Sequence, residues 1–205
     1  MESRPESGGA VDGRTERGRQ TRERIVDAVL ALVEEGETKL VAERVAARAG
    51  VSRRLVFHHF EDLPQLADAA ITRRFEQLSA QVRPLPTEGP LGLRVAALAE
   101  QRARILEWIT PTRIAVERLE NPSERVLQLV RQMLEFARLR LAEIFAAELG
   151  RLPEPGRTDL LNALDAVTTW SAWRHWRTNG LSPEEARRTM EVAVHALLST
   201  APAED

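Results

Sequence analysis

The sequence predicts an all-α protein: a small N-terminal three-helix unit followed by a larger C-terminal helical bundle, about nine helices in all. Three observations carry this. From Arg19 onward apolar residues recur at spacings of three and four. No segment alternates apolar and polar residues over any length, so no sheet is expected. Glycine and proline stand where helices need to stop and start.

Residues 1–17 are rich in Gly, Ser, Glu and Arg and are expected to form a disordered arm, because they cannot bury enough apolar surface. Ile25, Val29, Leu32 and Val33 place a helix over about 19–35, stopped at Gly36. A short helix over 42–49 ends at Gly50. Ser52 caps the next helix, and Asp62 opens another with Pro64 in its first turn, where a missing N–H matters little. The run PLPTEGP (84–90) is a break. The chain is therefore divided into a first unit over 18–66 and a second over 67–205. A helix over 91–109 is expected to be interrupted at Thr110–Pro111, with a short successor through Leu119. Asn121, Pro122 and Glu124 read as a cap, an N1 proline and the acid three residues on. The helix they open is expected to reach Leu149 and to end at Gly150. It is apolar almost all round, which predicts burial on several sides. A helix over 157–179, closed by Gly180, and a last one capped by Ser182 complete the bundle.

Composition narrows the chemistry. With no cysteine among 205 residues, disulfides, thiol redox chemistry and thiolate zinc sites are excluded. The histidines, His58, His59, His175 and His195, form no HExxH pattern or carboxylate cluster, so no metal or cofactor is expected. Ser171 and His175 lie one turn apart, but nothing else suggests a nucleophile and base, and no enzyme is expected. No apolar run approaches a membrane span, and the polar N-terminus lacks the apolar core of a signal peptide, so a cytoplasmic protein is expected. Net charge is −2, so contact with a polyanion has to come from a local patch. Lys39 is the only lysine. The arginine bias suits phosphate or carboxylate recognition and equally suits a GC-rich coding sequence.

One patch stands out. In AERVAARAGVSRRLVFHHF (42–60), small Ala46 and Ala49 let a second helix cross closely, Gly50 supplies the turn and Ser52 the cap. This is a helix-turn-helix. On a helical wheel Val56, His59 and Phe60 share the core side, flanked by Leu55, while Arg53, Arg54, Phe57 and His58 face outward. Arginines in a first turn oppose the helix dipole. A polyanionic partner would explain them, since the N-terminal residues of such a second helix reach base edges in the major groove. Residues 17–60 hold nine Arg or Lys and six Asp or Glu, a surplus of three positive charges.

These residues resemble the TetR/AcrR family of bacterial transcription regulators. The resemblance covers about residues 19–66 and rests on TRERIVDAVLALVEEG, RVAARAGVS and LVFHHFEDLPQL. It implies a homodimer that binds double-stranded DNA and releases it when a small molecule enters the larger domain. It implies DNA contacts at Arg19, Arg22, Val41, Ser52, Arg53, Arg54, Leu55, Phe57, His58 and His59. Four positions depart from the pattern: Phe57 for a tyrosine, Leu63 for a lysine, Leu55 for a threonine, and Val41 for a Ser or Thr cap. Each removes a hydrogen bond to the DNA backbone or a helix cap. A ligand-sensing dimer with little specific DNA affinity is the alternative.

In the larger unit the candidate ligand-lining residues are Trp108, Arg113, Glu117, Gln128, Met133, Phe136, Trp170 and Trp173. Trp170, Trp173 and Trp176 repeat every third residue; core or dimer packing accounts for them as well as a cavity does. The last two helices are expected to pair with their symmetry mates as the dimer interface.

Overall fold

The computed structural model describes residues 9–37, 39–119 and 122–199, with side chains from residue 15 onward. Among the described residues there are ten helices and no strand: α1 (Gly9–Glu34), α2 (Ala42–Ala49), α3 (Arg53–His59), α4 (Leu63–Gln81), α5 (Leu91–Glu117), α6 (Glu124–Ile144), α7 (Ala146–Leu149), α8 (Gly156–Val167), α9 (Trp170–Thr178) and α10 (Pro183–Ser199).

Local signals placed most of the ends. Gly50 closes α2 at φ 64°, the left-handed conformation that glycine adopts without strain. The Ser52 hydroxyl accepts the Leu55 N–H at 3.2 Å, and the Asp62 carboxylate accepts that of Gln65 at 2.8 Å. Ser182 and Glu185 cap α10 reciprocally: the Ser182 N–H donates to the Glu185 carboxylate at 2.8 Å, and the Glu185 N–H to the Ser182 hydroxyl at 3.2 Å.

Five expectations about where helices begin, run and end require correction. The arm expected over 1–17 is helical from Gly9, and residues 1–8 lie outside the described residues. Arg19 is paired at 2.6 Å with Glu16 and with Glu23, one turn to each side, which extends α1 toward its N-terminus. The interruption at Thr110–Pro111 does not occur: α5 continues through both. Pro111 removes one helical hydrogen bond, at a cost of about 3 kcal/mol. Leu106, Ile109 and Thr112 are buried around it, and that packing outweighs the loss. The cap of α6 is Ser123, which accepts the Val126 N–H at 3.3 Å; Asn121 lies outside the described residues. The single long helix expected there is divided at Phe145, which is fully buried and leaves helical geometry at φ −111°, ψ 26°. The helix expected over 157–179 is likewise two, because Thr169 caps α9 by accepting the Ala172 N–H at 3.3 Å.

Three apolar clusters organise the packing. The first joins α1, α2, α3 and the start of α4 through Ile25, Val45, Val56, Phe60 and Leu66. The second joins α4, α5 and α6 through Ile71, Phe75, Ile105 and Val126. The third gathers the rest of α5 with α7, α8, α9 and α10 around Leu98, Leu164, Trp173 and Met190. The expected burial of α6 on several sides is wrong for this single chain. Val126, Leu141 and Ile144 are buried, while Leu134, Phe136 and Leu139 are 43, 49 and 57 % exposed. Helices α4, α5 and α8 cover one side of α6 only.

A buried ion pair ties the third cluster to the break. Arg94, on the first turn of α5, donates to the Glu148 carboxylate at 2.9 Å and to the Ile144 carbonyl at 2.7 Å, at the end of α6. The Arg94 guanidinium holds the Glu148 carboxyl below its usual range. Removing one member of such a pair leaves a buried charge alone, which costs about 3–5 kcal/mol. Arg94→Leu is therefore expected to lower the Tm sharply, whereas the joint replacement Arg94→Leu, Glu148→Leu recovers most of the loss; calorimetry of the three proteins checks this. Because the Glu148 pKa is lowered on folding, the wild-type pair contributes fully above about pH 4.5 and loses its contribution as pH falls below that.

Candidate functional site

The first apolar cluster determines which side of α3 is free. Val56 and Phe60 are each 1 % exposed and lock α3 against α1 and α2. With that side committed, Arg53, Arg54, Phe57 and His58 face solvent, as the wheel predicted; His59, which the wheel put on the core side with Val56 and Phe60, is only half-buried, as is the flanking Leu55. The Arg53 guanidinium lies 3.1 Å from the Glu43 carboxylate of α2 and 5.5 Å over the Phe57 ring. Arg54 has no ion-pair partner among the described residues. Arg22 reaches across from α1 to stack over Phe60 at 4.7 Å. The His58 and His59 rings meet edge-on, 5.4 Å apart. Burial, then the neighbouring His58 and Arg22, push the His59 imidazole below its usual range.

The other expected residues here are placed less favourably. Arg19 is held by its two carboxylates. Val41 is the N-cap of α2 and supplies no side-chain bond. Leu63 begins α4 and packs on the first cluster.

The ligand candidates are brought together only in part. Arg113 lies 5.0 Å over the Trp170 ring, and Arg174 lies over the same ring at 5.1 Å and pairs with Glu117. Trp170 donates its indole N–H to the Thr110 hydroxyl at 2.9 Å. Trp173 is fully buried and donates to Glu107 at 2.9 Å. Trp108 packs elsewhere, under the Arg74 guanidinium at 4.4 Å, beside a groove of about 530 Å³ between α5 and α10. Met133 is half-buried in the second cluster. Gln128 and Phe136 do not join the others: both are exposed on the outer side of α6, which no helix covers. Sequence reasoning missed Arg74 and Arg102. Arg74 shares a helical stripe with Ile71, Phe75 and Leu78, and Arg102 shares one with Leu98, Ala99, Leu106 and Ile109. A charged residue on an apolar stripe was the available signal.

No protein-family model matches the sequence, and no curated protein does. Solved structures do match. A tetR-family transcriptional regulator from Streptomyces coelicolor superposes with a TM-score of 0.70 at 19 % identity, over 89 % of this chain and 82 % of that one. The chain has the TetR-family fold. A protein from Mesorhizobium loti assigned to the TetR family superposes at 0.60 with 17 % identity, over 89 % and 97 % of the two chains. A transcriptional regulator from Rhodococcus sp. Rha1 does so at 0.65 with 20 % identity, over 90 % and 99 %. In this TetR-like chain no described helix is long and apolar enough to cross a membrane, and no group of described His, Asp and Glu residues could hold a metal ion.

The His59 shift has a definite sign. Its folded-state pKa lies below the unfolded one, so the unfolded chain binds more protons as pH falls. His59 leaves stability untouched well above about pH 6.5 and reduces it as pH drops through that value. Urea unfolding at pH 7.5 and 5.5 is expected to show a smaller loss for His59→Gln than for wild type.

Proposed function

We propose that the chain is a dimeric, cytoplasmic, DNA-binding transcriptional regulator: a repressor that leaves its operator when a small molecule enters the C-terminal helices. Residues 18–66 form the DNA-binding domain, and those from 67 onward bind ligand and dimerise. The observation that carries this reading is α3: a short helix with its apolar side locked on a core and its free side armed with Arg53, Arg54 and His58. Such a helix can enter a major groove, where arginine binds guanine O6 and N7 with two donors. Arg54 is assigned the base contact, because Arg53 is tethered to Glu43. Helices α8–α9 and α10 form the dimer interface; Val192 on α10 stands 69 % exposed. No catalytic step belongs to this reading. His175 and Ser171 are both exposed, and the His175 ring pairs with Asn179 at 3.0 Å.

A ligand sensor with little DNA affinity is the second reading. Phe57 and Leu63 favour it, since neither can donate to a phosphate.

Selecting bound fragments from genomic DNA tests the first reading directly: one enriched palindromic site is expected, with salt-dependent affinity. On that site Arg54→Ala should cost about 1–3 kcal/mol and relax preference at one base pair, measured by fluorescence anisotropy. Unchanged affinity would remove α3 from the interface. Val192→Arg should shift the protein toward monomer in sedimentation and weaken DNA binding with it.

A further inference from the structure

A cavity of about 90 Å³ lies where the first unit meets α5. Val29 and Val33 of α1, Ala67 and Ala70 of α4, and Thr112 and Ala115 of α5 line it. The three alanines leave the room. A water's share of the liquid is about 30 Å³, so the space takes a group of roughly three or four heavy atoms. Its mouth is marked by the lining residues that reach solvent, Glu37, Lys39 and Arg44. Arg44 pairs with Glu37. Lys39, the only lysine of the chain, is exposed and has no ion-pair partner among the described residues. The mouth therefore carries one uncompensated positive charge.

The wall holds a second polar signal. Thr112 is 3 % exposed, and its hydroxyl is one of four buried side-chain nitrogen and oxygen atoms among the described residues that lack a hydrogen-bond partner. A threonine inside a helix can turn its hydroxyl back to the carbonyl four residues earlier, as Thr110 does to Leu106. Thr112 makes no such bond. A buried hydroxyl without a partner is costly, and an oxygen acceptor brought into the cavity removes that cost. Threonine has two favoured side-chain positions in a helix, so the hydroxyl can swing to an acceptor while α5 stays in place.

We infer that this cavity binds a short oxo acid. The carboxylate meets Lys39 at the mouth, the ketone oxygen accepts the Thr112 hydroxyl, and the carbons around the ketone fill the apolar end. No helix has to part, because the lining already reaches solvent at Lys39. The walls belong to α1 and α4 on one side and to α5 on the other, so the occupant sits at the joint that sets how α3 is presented. That consequence rests on the regulator reading; the site itself does not.

The test uses the full chain, reductively methylated with isotope-labelled formaldehyde. This keeps the lysine charge and gives a single lysine signal by NMR, that of Lys39. The probes are levulinate and its homologues with one and two further methylenes between ketone and carboxylate. Each is compared with the plain acid of equal length and with its own methyl ester. The best oxo acid should raise the Tm and move the Lys39 signal. It should bind about fivefold tighter than the plain acid, the worth of one net hydrogen bond, and about two- to fivefold tighter than the ester, the worth of an exposed ion pair. Thr112→Val should erase the preference over the plain acid and, without ligand, raise the Tm, because an unpartnered hydroxyl has been removed. Lys39→Gln should erase the preference over the ester. Ala115→Leu, which fills the space, should abolish binding of all three compounds; the Thr112 and Lys39 variants decide the matter even where that protein fails to fold. An unmoved Lys39 signal, equal affinity for oxo acid, plain acid and ester, or a Thr112→Val protein that keeps its preference would overturn the assignment. Failure of the regulator reading looks different: the oxo acid moves the Lys39 signal as expected, but no DNA site is enriched and Arg54→Ala changes nothing.

Discussion

The rest of the structure depends on α5 remaining one helix through Pro111. A proline at that point should end or bend it. Here both sides of the helix are committed: Ile109 belongs to the third cluster and Ile105 to the second. Thr110 reinforces the weak point, donating its hydroxyl to the Leu106 carbonyl at 2.6 Å and accepting the Trp170 indole N–H. Continuity keeps Trp108 and Arg113 in fixed register, the first toward α4 and the second toward α9.

That register joins the two ends of the molecule. Arg74 on α4 is 2 % exposed, pairs with Glu34 near the end of α1, and lies over Trp108 of α5. A single guanidinium thus touches the helix that braces α3 and the helix that carries Arg113. Through these contacts α5 has a fixed position against both α4 and α9.

Arginine recurs at each of these joints because of its geometry. Its planar fork meets a carboxylate or carbonyls with several donors at once, and its face stacks on rings. Arg94 uses the first property to hold the α6–α7 break, and Arg74 and Arg113 use the second. Lysine, a compact charge on a flexible stem, would do neither job. The arginine bias visible in the composition therefore has a structural use inside the protein as well as at its surface.

The helix-turn-helix was legible from the chain because its causes are local. Gly50, Ser52 and Asp62 act within four residues of themselves, and the 3.6-residue period alone sorts Arg53, Arg54, Phe57 and His58 from Val56 and Phe60. Helix ends failed where two local signals competed, as with Asn121 against Ser123, or where a threonine pair made an unlooked-for cap, as at Thr169. The fate of Pro111, the exposed side of α6 and the meeting of Arg113 with Trp170 were decided only by tertiary structure. Each depends on whether a helix distant in sequence covers a given face, and apolar periodicity states that a face can be buried without stating what buries it.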